Sequence, residues 1–139
     1  MNITITDHVV VPVANKEDAR TTAQLLEPYS VGDITVLHVV EKGGGVPDKS
    51  PVEQSEQIAE DAFEAFHETF PDAGTEVTYR RDVVQGIINV AEKVDASAIL
   101  FRPRGGARIL QFLAGDRSLR LIMEANRPVI ALPEREDDQ

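Results

Sequence analysis

HVVVPVANKED, residues 8–18, joins an apolar run directly to a helix start. Val9, Val10, Val11 and Val13 leave no polar face, the pattern of a strand covered by helices on both sides. Pro12 has no N–H to donate, so the ladder is expected to break near the C-terminal end of the strand, which is read as His8 to Ala14. Asn15 can cap a helix and Asp18 follows three residues on, an acid in the first turn. Ala19, Thr22, Ala23 and Leu26 then recur at helical spacing until Pro28 stops the helix. A doubly buried strand feeding a helix is the repeating unit of an α/β domain.

The alternation continues along the chain. DITVLHVV (33–40) reads as a second strand, followed by a loop with Gly43-Gly44-Gly45 and Pro47. Ser50, Pro51 and Glu53 start a helix, since serine caps, proline loses nothing in the first turn and glutamate lies three beyond the cap. Ile58, Ala62, Phe63, Phe66 and Phe70 are expected on its inner side, with Glu53, Glu56, Glu60, Asp61, Glu64 and Glu68 in water, and Pro71 ends it. Thr75 to Arg80 is a third strand. Asp82 caps a helix with Val83, Val84, Ile87, Ile88, Ala91 and Val94 inside, and ASAILF (96–101) is a fourth strand. Residues 105–126 are expected to be mainly helical with a break at Gly115, where Asp116 caps a piece carrying Leu119, Leu121, Ile122 and Met123. PVIAL (128–132) closes the series. Right-handed crossovers between successive strands predict a doubly wound parallel sheet with helices on both faces, spanning 1–133, and a polar, frayed tail over 134–139.

A chain of 139 residues is one domain able to bury a core without staples. It has no cysteine, which excludes thiolate nucleophiles, disulfides and cysteine-rich zinc sites and is compatible with a reducing cytosol. No apolar run approaches the length of a bilayer span, and Met1-Asn2-Ile3-Thr4 does not begin a signal sequence, so a soluble cytoplasmic protein with no membrane partner is expected. The formal net charge of −10 argues against nucleic acid as a partner. Residues 1–100 carry 7 basic and 18 acidic side chains, a net −11, whereas 101–139 carry 7 basic and 6 acidic, a net +1. Ten arginines against four lysines on an acidic chain would suit a cell with high internal salt, a halophile, where screening weakens self-repulsion.

In such a sheet the default binding place is the crevice beyond the C-terminal strand ends, where strand order reverses. The candidate crevice residues are Pro12, Val13 and Ala14 after the first strand, and Val39 and Val40 in the second. Arg102, Arg104, Gly105, Arg108, Gly115, Asp116 and Arg117 follow the fourth. The turn Arg102-Pro103-Arg104-Gly105-Gly106-Ala107-Arg108 has the parts of an anion site: helix-start N–H groups, glycines that admit a phosphate, and guanidinium forks. The same three arginines can equally balance the acid-rich remainder of the chain. Asp116 reads as a cap that uses the donors a phosphate would want and repels the ligand. Arg117, Arg120 and Arg127 make no nucleic-acid stripe, because no aromatics are interleaved with them.

These features resemble the universal stress protein family along nearly the whole chain: VVVPVA in the first strand, LHVV in the second, ASAILF in the fourth and a closing PVIAL. The resemblance implies a Rossmann-like sheet of five parallel strands and a homodimer. It also implies ATP binding through a turn of the form Gly, two residues, Gly, nine residues, Gly, then Ser or Thr. By spacing, Gly105 and Gly115 match the second and third glycines, while Arg102 replaces the first and Asp116 the Ser/Thr. Ala14 stands where ATP-binding members carry an aspartate at the end of the first strand. These departures make the chain a divergent member with a degenerate nucleotide motif.

Catalysis would need a poised nucleophile or base with a partner. His38 lies within an apolar strand and reads as packed and hydrogen-bonded; His67 reads as a boundary residue and His8 as an exposed strand end. No two histidines have the i, i+4 spacing of a helical metal site, there is no HExxH or GxSxG string, and the acids of the second helix form a solvated face. Ser97 and Ser118 have no histidine or aspartate beside them in a nucleophilic arrangement. The expectation is therefore a non-enzymatic stress-response-type protein acting through homodimerisation and partner contacts, with neither cofactor nor metal and without conventional ATP binding. Its dimer would form through the last strand, Pro128 to Leu132, whose open edge needs cover. A sensor of adenine nucleotide or another anionic metabolite, using Arg102, Arg104 and Arg108, is the second reading. A weak nucleotide hydrolase is the third.

Overall fold

The valine run forms strand β1 (His8–Pro12), and Val9, Val10 and Val11 are fully buried in it. The computed structural model describes residues 3–41, 52–103 and 116–133 of the chain. After β1 come α1 (Lys16–Leu26), β2 (Asp33–Glu41), α2 (Val52–His67), β3 (Gly74–Arg80), α3 (Val83–Lys93), β4 (Ala98–Phe101), α4 (Asp116–Glu124) and β5 (Val129–Ala131). The five strands are all parallel, in the order β3-β2-β1-β4-β5. Pairing extends past Pro12, since the Val13 N–H still reaches the Leu37 carbonyl at 2.8 Å.

Side-chain alternation divides the core into two layers. Val9, Val11 and Val13 join Ile34, Val36, Ala98 and Leu100 against Ala19, Ala23 and Leu26 of α1 and Ala62, Ala65 and Phe66 of α2. Val10, Leu37, Val39, Ile99 and Phe101 face the other way, against α3 and Leu121 of α4. This is the doubly wound arrangement expected from the sequence.

Local chemistry sets the helix starts. Asn15, in an extended conformation, accepts the Asp18 N–H at 2.9 Å, and Asp82 accepts the N–H groups of Val84 and Gln85. Asp18 does not reach back to the cap residue as a capping box would; its Oδ2 accepts the Ala14 N–H one position earlier, at 2.7 Å. At the other end of α3, Arg127 donates to the carbonyls of Ala91 and Ala96.

Some sequence expectations need correcting. Ile58 is exposed, because the inner stripe of α2 is Ala59, Ala62, Ala65 and Phe66, small residues that let α2 lie close to Ala19 and Ala23 of α1. Phe70 lies beyond the end of α2, its ring stacked on Phe66 at a centroid separation of 5.5 Å. The fourth strand begins at Ala98; Ser97 before it donates through Oγ and accepts the His8 N–H, tying the strand to the start of β1. The Gly43 loop, the Ser50-Pro51 helix start, the break at Gly115 and the tail 134–139 lie outside the described residues.

Candidate functional site

Strand order reverses between β1 and β4, so the crevice lies at the C-terminal ends of these two neighbours. Ala98 and Leu100 point toward α1 and α2, and alternation sends Arg102 after them. Its guanidinium meets α1: Nη2 donates to Asp18 Oδ1 at 3.0 Å, and Nε donates to Thr22 Oγ1 at 3.3 Å. The Thr22 hydroxyl in turn donates to Asp18 Oδ1 at 3.2 Å, while Asp18 Oδ2 accepts the Ala14 N–H. The Arg102 side chain is 8% exposed and that of Asp18 1%. Two charges withdrawn this far from water hold together only when each is also hydrogen-bonded, and removing one partner from such a pair costs about 3–5 kcal/mol.

His38 lies on the same side of the sheet as Ile34 and Val36, buried beside the end of β1. Its Nδ1 lies 3.1 Å from the Val13 carbonyl, which can only accept, so Nδ1 carries the proton. Burial pushes the imidazole pKa down, and the Val13 contact opposes this in part. At the rim, Arg117 Nη2 donates to Glu41 Oε2 at 2.8 Å and joins the start of α4 to the end of β2. Arg120 holds Asp82 and Glu124 together, at 2.8 and 3.0 Å.

A family model described as the universal stress protein family matches residues 6–133. The chain belongs to the universal stress protein family. No curated protein matches. Several solved structures do. The universal stress protein from Archaeoglobus fulgidus in complex with dAMP is 21% identical, with a TM-score of 0.61 over 93% of this chain and 99% of that one. A universal stress protein from Lactobacillus plantarum is 19% identical, with a TM-score of 0.64 over 94% and 99%. An Arabidopsis thaliana universal stress protein family member with AMP bound is 19% identical, with a TM-score of 0.58 over 95% and 94%. The fold of this chain is thus the Rossmann-like α/β fold of universal stress proteins.

Within this universal stress protein the sequence-derived crevice residues fall in different settings. Pro12 and Val13 are buried at the end of β1, and the Ala14 N–H is held by Asp18. Val39 packs into the α3 layer, while Val40 is half-buried. Arg102 is turned inward onto α1 and Arg117 onto Glu41. Arg104, Gly105, Arg108, Gly115 and the Asp116 side chain lie outside the described residues. Sequence reasoning missed Asp18 and Thr22 as partners of Arg102. Their signal was present: an acid and a hydroxyl at i, i+4 spacing beside the buried stripe Ala19, Ala23 and Leu26.

Among the described residues, no group of three or more histidines and carboxylates is arranged to hold a metal ion, and no helix is long and apolar enough to cross a membrane. A cleft of about 460 Å³ opens at the N-terminal ends of β1, β2 and β3, the opposite end of the strands from the crevice, between His8, Thr35, Phe70, Asp72 and Gly74. A smaller, apolar groove of about 180 Å³ runs beside β5, lined by Leu26, Tyr29, Leu100, Ile130 and Leu132.

Proposed function

We propose that this universal stress protein is a non-enzymatic, cytoplasmic stress-response protein that works through homodimerisation and partner contacts, and that its crevice does not take ATP in the conventional way. One observation carries the reading: the Arg102 guanidinium, at the position of the family's first motif glycine, is committed to Asp18 and Thr22. A phosphate needs donors that face the ligand, and here an arginine and the backbone N–H before the α1 cap are turned onto a carboxylate of the same chain. Isothermal titration of the nucleotide-stripped protein with ATP, at low and high salt, tests it. No saturable heat is expected; binding near one site per chain overturns the reading.

A second reading, a sensor of adenine nucleotide or another anionic metabolite, is favoured by the dAMP and AMP complexes of the similar structures. Titration with AMP decides between the two. The homodimer is supported by the edge position of β5, whose outer N–H and C=O row would be covered by a second copy, and by the apolar groove beside it.

A further inference from the structure

We propose that the Ala14 N–H, the Thr22 hydroxyl and the Arg102 guanidinium form an oxyanion site whose occupant is the chain's own Asp18 carboxylate, which thereby shuts the crevice against oxyanions from outside. The inference rests on the reading that the crevice takes no nucleotide, and it names the group responsible. Three donors from three places in the fold converge on one carboxylate. The Ala14 N–H, between β1 and α1, meets Oδ2 at 2.7 Å; Arg102 Nη2, from the end of β4, meets Oδ1 at 3.0 Å; the Thr22 hydroxyl, one turn along α1, meets Oδ1 at 3.2 Å.

An anion held through two of its oxygens by a guanidinium and a backbone amide is how proteins bind free carboxylates and phosphates. Asp18 is not needed as the cap of α1, since Asn15 Oδ1 takes that part. Its carboxylate instead reaches back, past the cap, into the reversal point between β1 and β4, where ligands of such sheets sit. Removing the carboxylate would leave the Ala14 N–H, the Thr22 hydroxyl and the buried Arg102 guanidinium facing a carboxylate-sized seat, which an anion from solution can fill.

Asp18→Ala deletes a carboxylate-sized group, and formate replaces it. Thermal unfolding of D18A is followed against sodium formate, inorganic phosphate and, as the reference, sodium chloride at equal ionic strength. D18A is expected to melt below the unaltered protein and to gain about 5 °C saturably in formate over chloride. The unaltered protein is expected to gain nothing, and D18A combined with Arg102→Met likewise nothing. Rescue by formate alone assigns a carboxylate-sized seat, and rescue by phosphate as well assigns one open to phosphoryl groups. A D18A chain indifferent to both anions, unfolded at every concentration of them, or rescued equally well with Arg102 replaced overturns the proposal and leaves the proposed function standing. Saturable ATP binding by the unaltered protein overturns the proposed function and, with it, the shut crevice.

Discussion

Arg117 Nη2 lies 2.8 Å from Glu41 Oε2, fastening the first turn of α4 to the last residue of β2 at the crevice end of the strands. Both side chains remain partly in water, 24% and 48% exposed, so the pair is worth at most about 1 kcal/mol. Glu41→Gln should therefore lower the unfolding free energy in urea by less than about 1 kcal/mol at low salt, and the difference should shrink in concentrated salt. A larger loss that ignores salt would mean that Glu41 holds the fold by packing.

Asp82 combines a helix cap with an ion pair. It accepts the N–H groups of Val84 and Gln85, and Arg120 Nη1 and Nη2 donate to it at 3.2 and 2.8 Å. The Arg120 hydrogen bond, before any other contact, holds its carboxyl below the ordinary aspartate value. A pKa lowered by folding stabilises above the unfolded value, near pH 4, and that stability is lost as pH falls through the folded value. Arg120→Met should therefore flatten the acid limb of stability against pH. Asp82→Ala should also cost about 1 kcal/mol at neutral pH through the lost cap. Denaturant curves across the acid range measure both, and an acid limb unchanged in R120M contradicts the assignment.

For His38 the sign follows from burial, which disfavours the imidazolium. The unfolded ring takes its proton near pH 6.5 and the folded ring only below that, so stability is full above about pH 6.5 and declines on acidification toward the folded value. Ring titration by nuclear magnetic resonance should give a folded pKa under the ordinary one, and His38→Gln should remove that part of the slope. A ring that titrates at or above the ordinary value would be incompatible with this environment.

Strand β5 allows the core to be separated from the proposed dimer interface. The Pro128 carbonyl and the Leu132 N–H are bonded to Ile99 and Phe101 of β4, so alternation turns the N–H groups of Val129 and Ala131 outward. Ala131→Pro removes one outward donor and none of those bonds; if the proposed homodimer pairs through β5, it should halve the mass seen by light scattering while circular dichroism stays unchanged. Ile130→Asp should instead destabilise the fold itself, because Ile130 packs against the α1–β1 layer. A dimer that survives A131P would exclude β5 pairing.

The β1–α1 junction was legible because its signals are local. A valine run can bury both faces, Asn15 caps whatever follows it, and Asp82 does the same for α3. The hydrophobicity of Ile58 points inward, yet the residue is exposed, because the alanines of α2 set the contact with α1. Arg102 was legible as a cation at the crevice, but its partner was not. Asp18 lies 84 positions away in the chain, and either an external anion or an internal acid could have met the guanidinium.

Element order, the two helix caps and the two-sided burial of the sheet follow from residue type and spacing, since hydrogen-bond supply and apolar periodicity act over a few residues. Only the tertiary structure decided where Arg102 and Arg117 point. Strand order places β4 beside β1, alternation along β4 turns residue 102 toward α1, and a desolvated guanidinium there takes the carboxylate that the same helix presents, at Asp18.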